Sequence, residues 1–593
     1  MTAKNILYRV CFPDLAGHRI QVSLHIPKPN PQGQELFLPA WIPGSYLIRD
    51  FSRQIESLSA TSDKKTVAVQ KLDSHRWLCA PTNGPLHIEY TVYAWDLSVR
   101  SAHVDETHAF FNGTSVFLGV HGQENQPCFV DLQAPKKQKD WRVYTSLPLA
   151  PKRTKGAAKR HEFGLYMAPD YDALLDHPVE MGTPQHISFH AHGALHEMVF
   201  TGVIPNLDLE RIAADAKAIC EAQISLFEPD DNRVPFLDSS DRYVFMTMVT
   251  GDDYGGLEHR SSTALMASRC DLPTLSQRDQ PKTAGYQTFL GLVSHEYFHT
   301  WNVKRIKPAA FAPYQYLQPN YTELLWVFEG FTSYYDDLML LRAKVVSEEQ
   351  YLSLLAKNID VVHRTGGRLK QSVTESSFDT WTRFYKQDEN SPNALVSYYS
   401  KGALVALGLD LYIRQHTQDQ RSLDDVMRLL WQRYGRDFYQ GKPHGVTEDA
   451  IPGLILEATG VDTSDFIQRY AHGRDDVPLQ PLLQAQGIEL QWQAESPLPS
   501  LGVRLKNSPQ GLQVATAYED GAAHHAGISA NDIIVALDGL RVNDQASLNK
   551  LLAAYTAGDK VELHVFRRDE LRSFRAKLGP APQQTCSLKR LIS

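Results

Sequence analysis

Absences narrow the field before any motif does. The six cysteines among 593 residues (Cys11, Cys79, Cys128, Cys220, Cys270 and Cys586) form no Cys-x-x-Cys pair. In a chain this long they predict reduced, mostly buried thiols rather than a disulfide framework. No window approaches eighteen uninterrupted apolar residues, which excludes a membrane-spanning helix. Nor is there an excess of positive charge: 60 Lys and Arg stand against 68 Asp and Glu, a net charge of −8. That balance argues against nucleic acid and anionic membranes as partners. The opening residues, MTAKNILYRVCFPDLAGHRI, lack a basic stretch followed by an apolar run, so no signal peptide and a cytoplasmic location are expected. No internal repeat is present.

The rest of the composition is ordinary. With 42% hydrophobic and 22% charged residues, a large core is available, and the length calls for three or four domains. To roughly residue 170, short alternating segments (19–26, 87–94, 141–146) separated by Pro, Gly and Asn turns predict an all-β domain. Its basic loop 152–160, KRTKGAAKR, reads as a solvated connector. Helical spacing begins at 207–226 and dominates from 283 to about 470, with strand-like runs at 243–249 and 262–267 just before. A small sheet followed by helices is an α+β arrangement. Beyond the Pro-rich stretch 477–483 the pattern turns strand-rich again. Strands at 512–517, 533–537 and 561–567 accompany one helix near 545–555. Residues 581–593 are expected to form a loose tail.

The chemistry is concentrated in residues 283–303, TAGYQTFLGLVSHEYFHTWNV. Apolar residues recur at Tyr286, Phe289, Leu290, Val293 and Tyr297, the pattern of a buried helix. His295 and His299 are four apart, so both imidazoles project from one face about one turn apart. Two nitrogens at that spacing can reach one tetrahedral Zn²⁺, and Glu296 beside them can take a proton from a water the metal activates. A third ligand is available in 323–341, ELLWVFEGFTSYYDDLMLL. Glu329 lies there among Trp326, Phe328 and Phe331, where a carboxylate is costly unless paired or bound to metal. Two His and one Glu leave the fourth zinc position open, as catalysis requires. Asp336, seven residues on, is either an orienting partner for a ligand or a solvated helix carboxylate.

HEYFHTWNVKRIKP followed by WVFEGFTSYYDDL resembles the glycyl aminopeptidase family. These are PDZ-bearing members of the thermolysin-like gluzincin superfamily, which also includes the alanyl-type aminopeptidases. The similarity covers nearly the whole chain. PAWIPGSYLIRDFSRQI (39–55) and YAWDLSVRSAHVDETHAFFNG (93–113) mark the kinship without a mechanism of their own. GGLEH (255–259) stands where related aminopeptidases carry Gly-x-Met-Glu-Asn, whose glutamate binds the substrate's free α-amine. The resemblance thus implies Glu258 as amine anchor, with Gly255 and Gly256 letting a peptide backbone approach. His259 departs from the asparagine of those related aminopeptidases, which puts strict exopeptidase action in question. In the alanyl-type relatives a tyrosine just before a Lys-Gly pair holds the developing oxyanion. In SYYSKGALVALGL (397–409) Tyr399 takes that place, with Tyr398 as the adjacent alternative. The cluster His186, His190, His192 and His196 reads as strand histidines rather than a second metal site, and His103 and His108 rank lower still.

SLGVRL (500–505) and GAAHHAGISANDIIVALDGLRV (521–542) resemble a PDZ domain of the kind attached to bacterial proteases. Leu501, Gly502 and Val503 would form the loop that holds a peptide's terminal carboxylate while the peptide adds as a strand. Packing of this groove on the catalytic domain is the other reading.

The expectation is therefore a multidomain α+β protein. It comprises an all-β domain (1–170), a thermolysin-like, mainly helical catalytic domain with a small sheet (171–485), a PDZ domain (496–580) and a tail (581–593). Its function would be that of a zinc-dependent aminopeptidase with one Zn²⁺ per chain on His295, His299 and Glu329, and Glu296 as general base. Substrates would be peptides with a free amino terminus, and the resemblance implies small first residues, Gly or Ala. The alternatives are an endopeptidase or broad aminopeptidase on the same site, and a non-catalytic PDZ scaffold.

Overall fold

The structure is a computed structural model that describes residues 5–441 and 443–591. The first four residues of the stretch inspected for a leader, and the last two of the expected tail, lie outside it. The chain divides into two compact units. One holds residues 1–321, 335–346 and 427–448, the other 322–334, 347–426 and 449–593.

The first unit begins as β-structure. In Arg19–Ile26 the side chains of Ile20, Val22, Leu24 and Ile26 are fully buried while their neighbours face outward, as the two-residue period of a strand requires. This strand and Leu86–Tyr93 belong to a seven-stranded sheet, accompanied by two four-stranded ones. Val179–Gly182 pairs with both His108–Phe111 and Arg142–Tyr144, so the β layer continues past residue 170. All four of its residues are buried, and a strand covered on both faces shows no alternation in sequence.

A further, five-stranded sheet of the same unit carries Glu258. Its order is Gln185–Ala191, Ala194–Thr201, Arg242–Thr250, Ser262–Ser268, Gly255–Glu258. The middle three strands are parallel, and Arg242–Thr250 is buried along nearly its whole length. Gly255–Glu258 runs antiparallel at the edge. Two helices, Leu209–Phe227 and Ala284–Phe298, are locked together by Gln223, whose Nε2 donates to Ser294 O and Oγ at 2.9 Å. The second helix is also tied to the sheet by Tyr297 OH, 2.9 Å from His196 Nε2.

The second unit is helical up to Leu479–Ala485 and ends in a separate β-rich domain. That domain has the sheet order Val503–Ser508, Gly511–Ala517, Ile533–Leu537, Lys560–Arg567, Glu570–Lys577, the helices Ala522–Ala526 and Gln545–Leu552, and its own core around Leu512, Val514, Ile534, Leu563 and Val565. The expectation of a loose tail is corrected here. Thr585–Arg590 pairs antiparallel with Ile488–Gln493 and buries Cys586 and Leu588 at alternate positions. Pro580 and Pro582 lie in the irregular stretch ahead of this strand. Its partner lies far back in the chain, where no local pattern could point to it.

All six cysteines are free thiols, four of them buried. Among the described residues no helix is long and apolar enough to cross a membrane.

Candidate active site

Thr283 caps the helix Ala284–Phe298 by accepting from Tyr286 N. Burial of Phe289, Leu290, Val293 and Tyr297 fixes its rotation and sends both histidines to one side. His295 Nε2 and His299 Nε2 lie 3.1 Å apart. Each ring is held from behind: His295 Nδ1 is 3.0 Å from Asp336 Oδ2, and His299 Nδ1 donates to the carbonyl of Asn302 at 2.7 Å. With both Nδ1 atoms acting as donors, both Nε2 atoms carry lone pairs. Two lone pairs facing at that distance repel each other unless a cation is shared between them. The donor set thus fits a divalent metal, and Asp336 is placed to orient a ligand rather than left in solvent.

Glu296 and Glu258 face the same place. Glu258, Glu296 and His299 are all buried and present ligand-type atoms within 4.8 Å of one another. Two glycines make this crowding possible. A Cβ at Gly256 would lie 2.0 Å from Glu296 Oε1, and one at Gly44 (φ +90°) would lie 2.4 Å from Glu258 Oε2. Gly256 therefore makes room for Glu296 itself, whereas Gly255 faces open space with only Arg100 Nη1 at 3.9 Å. Gly44 belongs to the 39–55 segment, whose only signal in the sequence was kinship. Glu258 Oε1 is buried with no hydrogen-bond partner among the described residues, as suits an atom kept for a ligand.

Behind Glu258 the strand end is pinned by Asp176, which meets His259 Nδ1 at 3.0 Å, Arg260 Nε at 3.0 Å and Lys304 Nζ at 2.9 Å. Burial alone would raise its carboxyl, but Lys304, His259 and Arg260 outweigh that and hold it well below the usual carboxylate range. His259, the departure from the family pattern, is thus committed to Asp176. No sequence pattern singled out this aspartate.

The run 323–341 is not one helix. Leu325–Phe328 ends at Glu329, and Gly330–Arg342 begins anew. Glu329 is 2% exposed, and Trp326, Phe328 and Phe331 around it in sequence are buried too. Gly330 approaches Gly402 so closely that a Cβ on it would lie 2.7 Å from the Gly402 Cα. This explains the glycine of the Lys-Gly pair, while Lys401 Nζ donates to the carbonyls of Arg368 and Arg474 at 3.0 Å each. The two tyrosines ahead of the pair differ. Tyr398 is fully buried with its hydroxyl 2.8 Å from Thr380 Oγ1. Tyr399 is half-buried, and its hydroxyl lies 3.3 Å from that of Tyr385. Tyr385 comes from a short turn that carries no recognisable motif.

In the first unit, among the described residues, the ligand atoms of His103-Asp105-His108 also lie within 4.8 Å of one another, but His103 Nε2 meets Asp105 at 3.2 Å and His108 Nδ1 meets Glu180 at 3.2 Å, so each imidazole already has a carboxylate partner. In the second unit Asp520-His524-His525 forms such a group and is exposed. The cluster at 186–196 forms no such group. His196 is buried against Tyr297, and His192 sits in the turn after the strand at φ 44° rather than on it.

In the carboxy-terminal domain Leu501 is buried, Gly502 is left-handed (φ +69°) and Val503 opens the edge strand of the sheet. Gly502 N donates to Ser500 Oγ at 3.0 Å. The domain is fastened to the helical part through the Ala517–Glu519 turn. Asn393 donates to Ala517 O at 3.0 Å and accepts from Glu519 N at 3.0 Å.

The sheet, the helix bearing the paired histidines and the buried carboxylates define a gluzincin-type metallopeptidase. The chain matches the Peptidase M61 N-terminal domain over residues 7–183, the M61 glycyl aminopeptidase family over 288–405 and a PDZ domain over 499–578. It is 42% identical to an aminopeptidase N family protein from Idiomarina loihiensis. The crystal structure of that protein superposes with a TM-score of 0.93, covering 99% of this chain and 98% of that one. Local likeness extends to a probable periplasmic serine endoprotease DegP-like of Halomonas elongata (33% identity) and a serine protease Do-like HtrA of Lactobacillus helveticus (33%). Those matches span 13% and 16% of this chain, and 16% and 24% of the respective relatives. The chain belongs to the M61 glycyl aminopeptidase family and carries a PDZ domain.

Proposed function

We propose that this chain removes a small first residue, glycine or alanine, from peptides with a free amino terminus. One Zn²⁺ would be held by His295, His299 and Glu329. When bound, zinc acts as a Lewis acid that acidifies water and polarises the scissile carbonyl. Glu296, buried beside the histidines, takes the proton of the attacking water and delivers it to the leaving amine. Tyr399 donates its phenol O–H to the developing oxyanion, with Tyr385 orienting it. Glu258 holds the substrate's ammonium.

The observation that carries the exopeptidase reading is the crowding of Glu258, Glu296 and His299 within 4.8 Å. An amine on Glu258 then leaves room for one residue before the hydrolytic centre, since amine nitrogen and carbonyl carbon are about 2.5 Å apart across a residue. A longer chain running as in an endopeptidase would collide with Glu258 and with Gly44 packed on it. The PDZ groove along Val503–Ser508 would take a peptide carboxy terminus through Leu501, Gly502 and Val503. Free thiols throughout favour the cytoplasm as the place of action.

The test is metal analysis together with hydrolysis of Gly- and Ala-anilides and of their N-acetylated forms, on wild type and Glu296→Gln. One zinc per chain, turnover of the free forms alone and loss of turnover in the variant are expected. Equal rates on free and acetylated substrates would refute the amine anchor, and unchanged turnover in Glu296→Gln the hydrolytic site.

A further inference from the structure

The first unit contains a cavity of about 750 Å³ that the chemistry above does not use. Its walls are aromatic, from Phe37, Tyr171, Tyr314, Tyr316, Phe438 and Tyr439. Most of its charged lining is already paired. Arg76 meets Glu35 at 3.3 Å, His121 meets Glu124 at 3.4 Å, and Arg260 meets Asp172 at 2.6 Å. Asp172 also accepts from Tyr316 OH, and Asp170 accepts from Ala173 N.

Lys307 is the exception. It is 2% exposed and lines the cavity. Its Nζ lies over three rings, at 4.2 Å from the centroid of Tyr314, 4.9 Å from Phe438 and 5.8 Å from Tyr439. Among the described residues that Nζ has neither a hydrogen bond nor an ion pair. Burial and the nearby Lys304 push its amine down to about 7, against the pull of Asp172 and Asp176, with Arg260 adding to the depression. An ammonium in such a place gains most from an incoming anion.

We propose that this cavity is a second binding site, for a monocarboxylate with an apolar body such as the free carboxy end of a short peptide, with the carboxylate on Lys307 and the body against the aromatic walls. One cation without a hydrogen-bonded or ion-paired partner among the described residues calls for one negative charge, and Glu35, Glu124, Asp170 and Asp172 around it disfavour a polyanion. The site does not depend on the assignment of the zinc ligands.

Calorimetric titration of the zinc-loaded full chain with N-acetyl-phenylalanine, 3-phenylpropionate and N-acetyl-phenylalaninamide tests this. Both acids are expected to bind saturably and the amide about tenfold more weakly or worse, with a similar loss for the acids in Lys307→Met. Tighter binding of the acetylated amino acid than of phenylpropionate would assign the site to peptide ends, and the reverse order to non-peptide acids. No binding of either acid, equal binding of acid and amide, or unchanged affinity in Lys307→Met overturns the proposal. Should the variant fold poorly, wild-type crystals soaked with N-acetyl-4-bromophenylalanine decide. Anomalous bromine signal beside Tyr314 and Phe438 supports the site, and its absence there refutes it.

Discussion

Gly256 lies against the carboxylate of Glu296 so closely that a methyl group on it would stand 2.0 Å from Oε1. The edge strand Gly255–Glu258 thus meets the helix Ala284–Phe298 where a side chain at position 256 would displace the Glu296 carboxylate.

Gly256→Ala should therefore act as a catalytic lesion. Displacing the carboxylate by about 1 Å predicts a fall in kcat of about 100-fold, with zinc content and thermal midpoint near wild type. Retention of kcat would show that Glu296 is not the base or can move without cost. Gly255→Ala, facing open space, should leave kcat within about twofold of wild type if positioning is as described.

The two tyrosines should separate cleanly. Tyr399→Phe is expected to lower kcat by about 100- to 1,000-fold with little change in KM. Tyr398→Phe should keep kcat and lose about 1 kcal/mol of stability, from its buried bond to Thr380. Steady-state kinetics and denaturant unfolding distinguish the outcomes, and an exchange of the two phenotypes would reassign the oxyanion donor.

Asp336 Oδ2 lies 3.0 Å from His295 Nδ1, so it would act on a bound metal through that imidazole. Asp336→Asn should weaken zinc affinity about 10- to 100-fold, measured by competition with a chelator, and excess zinc should restore turnover. Unaltered affinity would return Asp336 to the rank of a helix carboxylate.

Asp176 should govern acid stability. Its carboxyl is held well below the usual range in the folded chain by Lys304, His259 and Arg260, against the effect of burial. A depressed carboxylate contributes stability above its unfolded value of about 3.9, and this is lost as pH falls through the folded value. Asp176→Asn should cost about 3–5 kcal/mol at neutral pH, since it strands buried cations. The gap between wild type and variant should close below about pH 4, as followed by urea unfolding across pH. A gap that stays constant to low pH would refute the assignment.

The sequence by itself determined the features that repeat over a few residues. The four-residue spacing of His295 and His299 on a buried helix, the alternation in Arg19–Ile26 and the Ile533–Leu537 strand follow from local periods of 3.6 and 2, which need no tertiary knowledge. The apolar neighbours of Glu329 pointed to it as a metal ligand, and the resemblance added Glu258 and Tyr399, with Gly255 and Gly256 expected to admit a peptide backbone. Tertiary structure alone decided what the glycines do. Gly256 yields space to Glu296, Gly44 to Glu258, and Gly330 to Gly402, contacts between segments far apart in the chain. It also decided that Tyr399 rather than Tyr398 has the more accessible hydroxyl, that residues 585–590 form a strand, and that Asp176, Tyr385 and Lys307 occupy consequential places. A lone Asp, Tyr or Lys carries no period, and its role is set by which distant groups surround it.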